Sequence, residues 1–150
     1  MKYFDPRSIL LARHAQHIVL VHFPIALLVA SVAFDLLARC TGRHSFAAAG
    51  ALNLYGAALA APLAAISGLA AWQIQLEGTG LKGALLLHLC TAVAALILTW
   101  GLAWFRWKRD METASSLPVA FHSVGLIAVL TVAATAHLGG IVSGLVTPGG

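Results

Sequence analysis

Histidines lie inside the apolar stretches of this sequence, and four of them are expected at nearly one depth. His17 and His22 open the first stretch, His88 lies near the start of the third, and His137 near the end of the fourth. An ionisable side chain inside a membrane span is costly, so it is by default a candidate for function. Imidazoles that converge from separate helices are typical ligands of haem iron or of a transition metal. The sequence therefore predicts a cofactor site built from histidines.

The elements that must position these histidines are membrane-spanning helices. The chain has 150 residues, of which 60% are hydrophobic and 9% charged, with a mean hydropathy of +0.90. A soluble domain would carry about 25% charged residues. Four apolar stretches, at about 18–38, 46–74, 83–105 and 118–143, each reach the ~20 residues needed to cross a bilayer. We predict one all-α domain over residues 1–150, an integral membrane four-helix bundle in up-down order.

The basic residues flank the predicted spans, which is typical of a protein whose partner is the lipid bilayer. No basic stripe with interleaved aromatics is present, so nucleic acid is not an expected partner. The loops after the first and third spans carry five basic residues against four on the other side: Arg39, Arg43, Arg106, Lys108 and Arg109 against Lys2, Arg7, Arg13 and Lys82. This small excess favours a multi-pass protein with both termini and the histidines on the non-cytoplasmic side, which is the periplasm in a bacterial inner (cytoplasmic) membrane.

His22 and His88 are the favoured pair of haem ligands, because the first and third spans lie diagonally in an up-down bundle. His137 is the alternative ligand. His17 lies five residues before His22, a rotation of about 140° on a helix, so the two cannot share one face. Arg13 and Lys82 lie at the right level to pair with haem propionates. The expected function is therefore electron transfer through one b-type haem near the periplasmic face.

Such a chain would serve as a small subunit of a larger redox complex, beside other membrane or periplasmic redox subunits and with a quinone as an optional partner. Two alternatives remain open. Three or four imidazoles from His17, His22, His88 and His137 also suit copper or zinc, and the chain could be a structural subunit without any cofactor. The sequence has no nucleophile–base pair, phosphate-binding loop or carboxylate dyad, so we do not expect catalysis by this chain alone.

Two further patterns carry predictions about packing. Asp35 is the one carboxylate inside a span, and Arg39, four residues later, is its predicted ion-pair partner. His22 precedes Arg39 by 17 residues and His88 precedes Arg106 by 18, which suggests two related hairpins with His22 facing His88 diagonally. His122 lies deep on the fourth span, and we expect it to be a core or interfacial residue.

Five stretches together resemble a bacterial family of four-span membrane proteins known as domain of unknown function 2231: HIVLVHFPIAL (17–27), FDLL (34–37), SGLAAW (67–72), LLHL (86–89) and HLGGIV (137–142). The resemblance covers most of the chain, and its first motif is the most specific. It implies a four-span fold and points to His17, His22, His88 and His137. Ala71 and Ala136 depart from the family pattern, where an acidic residue and a glycine are usual. The resemblance implies no particular activity.

Overall fold

Four long helices make up the protein. The computed structural model describes residues 13–75, 80–109 and 117–144. Helix α1 spans Arg13–Thr41, α2 His44–Gln75, α3 Gly83–Lys108 and α4 Val119–Val142. Each contains a membrane-length apolar segment, with mean hydropathies of 2.2, 1.6, 2.1 and 1.9 in chain order. The prediction of an all-α, four-span membrane bundle is confirmed.

The helices form two hairpins that pack side by side. α1 packs most extensively against α2, and α3 against α4, while smaller α2–α3 and α1–α4 contacts close the bundle. α1 and α3 are therefore diagonal. Only two residues join α1 to α2, and the first of them, Gly42, has φ +68°, a left-handed conformation that glycine adopts without strain.

The burial pattern of the first hairpin recurs in the second at an offset of 71 residues. Seven pairs of buried residues are related in this way: Leu28/Thr99, Ser31/Leu102, Asp35/Arg106, Gly50/Phe121, Ala51/His122, Leu54/Gly125 and Ala57/Ala128. His17/His88 and Gly68/Gly139 share the same offset. The two hairpins thus form a parallel repeat. The predicted repeat was wrong in register, because the residue that corresponds to His88 is His17 rather than His22.

Close packing is concentrated in one half of the bundle. Of the 21 buried residues among those described, 19 lie within 28–57 or 95–128, and the other two are Ala64 and Ala71. We call the closely packed half, which contains Asp35 and Arg106, the ion-pair half. The other half, which contains His17 and His88, is the histidine half. In the histidine half the partly exposed residues include small ones, such as Val21, Ala92 and Val132, and larger ones, such as Leu85, Leu89 and Leu138. This half is less tightly closed.

A tryptophan compensates for a proline inside α2. Pro62 has no backbone N–H, so the carbonyl of Ala58, four residues earlier, lacks its usual helical donor. The indole Nε1–H of Trp100 on α3 donates to this carbonyl at 2.9 Å. An unpaired carbonyl in hydrocarbon costs roughly several kcal/mol, so the indole stabilises both α2 at Pro62 and the contact between the hairpins.

Candidate cofactor site and buried ion pair

A buried ion pair joins the two diagonal helices. Nη1 of Arg106 on α3 lies 2.6 Å from both carboxylate oxygens of Asp35 on α1. Nη2 of Arg106 donates to the carbonyl of Ala47 on α2 at 2.8 Å. Both charged side chains are almost fully buried, at 1% and 4% exposure. A buried charge in a membrane needs such a partner, so this contact fixes the relative position of α1 and α3.

The predicted Asp35–Arg39 pair is wrong. Arg39 is exposed and its Nη1 donates to the carbonyl of Leu117 at 3.4 Å, whereas Asp35 points into the bundle. The reason is helical geometry combined with burial, because Asp35 lies on the core face of α1 and finds its partner across the bundle. Gly50 on α2 makes this possible, since a β-carbon there would overlap a carboxylate oxygen of Asp35.

The ion pair also defines where two histidines lie. His17 precedes Asp35 by 18 residues, and His88 precedes Arg106 by 18 residues. Eighteen residues are about five full helical turns and ~27 Å of rise. Each histidine therefore lies on the same helix face as its charged residue, and both lie at one depth. Because the charged residues meet at the centre of the bundle, the helix faces that carry the two histidines are turned toward that centre.

The imidazole of His17 is held by α2. Its Nδ1 lies 2.9 Å from Oγ of Ser67, and that hydroxyl donates to the carbonyl of Ala64 at 2.7 Å. Since the hydroxyl proton is used, Nδ1 of His17 is the donor in this contact. The ring packs on Gly68, where a β-carbon would lie 2.9 Å from Cε1.

The imidazole of His88 has the corresponding setting on α4. Its Nδ1–H donates to the carbonyl of Thr135 at 2.9 Å, and 135 is 64 plus the repeat offset of 71. The same backbone carbonyl is thus used in both hairpins, directly by His88 and through a serine hydroxyl by His17. The ring lies against Gly139, where a β-carbon would be 3.1 Å from Cε1. Both rings are partly buried, and in each the hydrogen bond to the neighbouring helix orients the imidazole.

The other two predicted ligands lie elsewhere. His22 is exposed, and its Nδ1–H donates to the carbonyl of Ile18 in its own helix at 2.5 Å. His137 is also exposed on α4. Across residues 13–75, 80–109 and 117–144, no three His, Cys, Asp or Glu side chains come together as a metal-binding group. The structure therefore brings His17 and His88 to one depth on the core face, and it leaves His22 and His137 outside.

Both residues predicted to pair with propionates belong to the histidine end of the bundle. Lys82 is exposed and directly precedes α3, so it lies at the same end of the bundle as His88. Arg13 begins α1, four residues before His17, but its side chain is outside the described residues.

Sequence reasoning missed the polar cluster in the ion-pair half. His122 is buried at 7% exposure, and with Asp35 and Ser31 it lines a small cavity of ≈ 10 Å³. The 71-residue offset was the signal that would have revealed the cluster, because it aligns Asp35 with Arg106 and thereby predicts that the two meet.

The fold and these two sites define the class, a four-helix membrane bundle built from two related hairpins. The chain belongs to the family of predicted membrane proteins DUF2231, whose model matches residues 13–144. No curated protein and no solved structure matches the sequence.

Proposed function

We propose that the protein is an electron-transfer subunit that holds one b-type haem between α1 and α3, with His17 and His88 as the axial ligands. The observation that carries the proposal is the matched pair of imidazoles, at one depth and on core-facing sides of diagonal helices. Each ring donates Nδ1–H to a neighbouring helix, so a ring that ligates the iron would do so through Nε2. Such outer hydrogen bonds are what orient histidine ligands in metal and haem sites.

Glycines beside the two rings support the proposal, because they let each imidazole pack closely on the neighbouring helix. Glycine stands opposite each imidazole, at Gly68 and Gly139, and a methyl group at either position would push on the ring. The histidine half is less closely packed than the ion-pair half, and many of its residues are only partly buried. A bis-imidazole haem iron supplies one-electron chemistry by cycling between its ferric and ferrous states. The chain's own part is to orient the two ligands.

Several finer points belong to the same proposal. Lys82 and Arg13 remain the candidate partners of the propionates by their place in the sequence, and His22 and His137 are not ligands. The electron donor and acceptor are other membrane or periplasmic redox subunits, with a quinone as a further candidate. The protein lies in the bacterial inner membrane with the histidine half toward the periplasm, in keeping with the small excess of basic residues at the other end.

An absorption spectrum of the purified protein tests the proposal. The full chain is expressed in a haem-sufficient bacterial host, purified in mild detergent, and its haem is measured as the pyridine haemochrome. We expect one haem per chain, a Soret band, and reduced α and β bands. His17→Ala and His88→Ala should each lower the haem content at least tenfold, while His22→Ala and His137→Ala, matched controls at exposed positions, retain it.

Two results would overturn the proposal. Absence of haem from wild-type protein that elutes as a single folded species would exclude it, and stoichiometric copper or zinc by elemental analysis would favour the metal alternative. Loss of haem from His22→Ala but not from His17→Ala would refute the ligand assignment. Size-exclusion profiles and helical circular dichroism of each variant separate loss of a ligand from loss of the fold.

A further inference from the structure

Three exposed tryptophans form a stripe along one side of α3 in the ion-pair half. Trp100, Trp104 and Trp107 are 54%, 59% and 59% exposed. At 3.6 residues per turn they lie within ~60° of one another around the helix. Tryptophans are typical of the membrane interface, but Trp100 lies eight residues, ~12 Å of rise, before Lys108 at the helix end. An interfacial belt therefore accounts for Trp104 and Trp107 but not for Trp100.

An apolar groove lies beside Trp100, where α2 and α3 meet. It has a volume of ≈ 380 Å³ and is lined by Pro62, Leu96, Ile97 and Trp100. The indole Nε1–H of Trp100 is already donated to the carbonyl of Ala58, so only ring carbons are left for a ligand. The other three side chains have no polar atom. The groove therefore fits a hydrocarbon chain rather than a ligand with carbonyl or hydroxyl groups.

A cation lies at the outer end of the tryptophan stripe. Nζ of Lys108 is 4.9 Å from the ring centroid of Trp104 and 5.4 Å from that of Trp107. Such contacts hold an ammonium over the faces of aromatic rings. Lys108 is exposed, and the salt bridge found among the described residues joins Arg106 to Asp35 instead. The indoles thus orient the ammonium, and no described carboxylate neutralises it.

The charge of this end of the bundle favours an anionic ligand. Four basic residues are exposed there: Arg39, Arg43, Lys108 and Arg109. Two acidic residues, Asp110 and Glu112, follow in the sequence outside the described residues. Basic residues therefore outnumber acidic ones, and basic side chains beside a membrane attract lipids with anionic head groups.

The separation between the groove and the cation matches the length of a lipid. Ile97 lies eleven residues before Lys108, which is ~16.5 Å of rise along α3. Half of the hydrocarbon core of a bilayer is ~15 Å thick. A lipid whose phosphate contacts Lys108 can therefore extend an acyl chain along the tryptophans and into the groove.

We propose that the stripe and the groove together bind one phospholipid with an anionic head group. Its phosphate lies beside the ammonium of Lys108, and one acyl chain lies against Trp100, Ile97 and Pro62. Because the groove is formed by α2 of one hairpin and α3 of the other, the bound chain contacts both hairpins. The site is on the outer surface of the bundle and does not depend on the proposed haem.

Native mass spectrometry of the full chain in mild detergent tests the head-group contact. The protein is titrated with equimolar dioleoylphosphatidylglycerol and dioleoylphosphatidylcholine, and the bound lipids are counted by mass. We expect one retained lipid per chain, with phosphatidylglycerol preferred about fivefold, the factor expected for one basic side chain near an anionic lipid surface. Lys108→Gln should abolish this preference. Arg39→Gln removes the same charge at the same end, but on the diagonal helix α1, and should retain it.

A second pair of variants tests the groove separately from the head group. Ile97→Trp fills the groove and should lower the binding of both lipids severalfold without changing the preference between them. Leu130→Trp, the matched control at an exposed position on α4, should leave binding unchanged. Helical circular dichroism confirms that each variant is folded.

Three results would overturn the proposal. Equal binding of the two lipids by the wild-type chain would show that no anionic head group is selected. An unchanged preference in Lys108→Gln would exclude the head-group contact. Elution of the wild-type chain as a dimer without bound lipid would assign the tryptophan stripe to a second copy of the chain.

Discussion

Removing either partner of the Asp35–Arg106 pair should destabilise the bundle far more than removing both. Asp35→Leu leaves a guanidinium at 1% exposure without its counter-ion, and Arg106→Met leaves the carboxylate, 4% exposed, in the same condition. Breaking a buried pair in this way costs about 3–5 kcal/mol. In the double variant no buried charge remains, so its stability should return to within about 1 kcal/mol of wild type or exceed it.

Reversible unfolding in mixed micelles, followed by tryptophan fluorescence, gives the free energies for this double-mutant cycle. The expected coupling energy is at least ~3 kcal/mol. The effects of independent sites deviate from additivity by only about 0.3–0.5 kcal/mol, so a coupling of this size would be clearly resolved. Arg43→Met is the matched control, because Arg43 is exposed at the same end of the bundle, and surface substitutions change stability by about 0.5 kcal/mol or less. Two single variants that each cost under about 1 kcal/mol and simply add would refute a structural role for the pair.

Three further predictions follow from close contacts. Gly50→Ala should cost about 1–3 kcal/mol of unfolding free energy, because its methyl group would overlap the carboxylate of the ion pair. Gly101→Ala, the control with open space around it, should be neutral or stabilising by up to about 1 kcal/mol. Equal effects of the two substitutions would contradict a close contact between Gly50 and Asp35. Gly139→Ala should lower haem content severalfold by displacing the α3 imidazole, measured as pyridine haemochrome, and unaltered haem binding would remove the glycine from the site. Trp100→Phe should cost about 1–3 kcal/mol by leaving a carbonyl unsatisfied, and this cost should shrink in a Pro62→Ala background when both are measured by unfolding.

The fold was predictable because each helix is independently apolar over a membrane-spanning length. Every predicted span overlaps its helix closely, and the differences are at the ends, where α1 begins at Arg13 rather than near residue 18 and α3 runs to Lys108 rather than 105. These polar and aromatic end residues continue the helix outside the most apolar window. Hydropathy detects the bilayer-spanning part, but it does not detect where backbone hydrogen bonding stops.

The candidate site was predictable only in part. His88 and His17 were both singled out, but His22 was preferred over His17 because it lies deeper in the apolar stretch. Depth alone does not say which way a side chain points, and His22 lies about 140° away from the core-facing direction. The side of α1 that faces the core is revealed only by the ion pair, and that pair is a contact between residues 71 positions apart in the sequence. Local spacing had instead suggested Arg39 as the partner of Asp35.

The ion pair has a consequence for how such a bundle can be assembled. If two identical copies of one hairpin were to associate about the same axis, positions 35 and 106 would carry the same residue, and like charges would meet in the membrane interior. The attraction observed here requires an aspartate in one half and an arginine in the other. Joining the halves in a single polypeptide lets them differ at this point. The covalent link thus permits a heterodimer-like core that no symmetric self-association of either half could form.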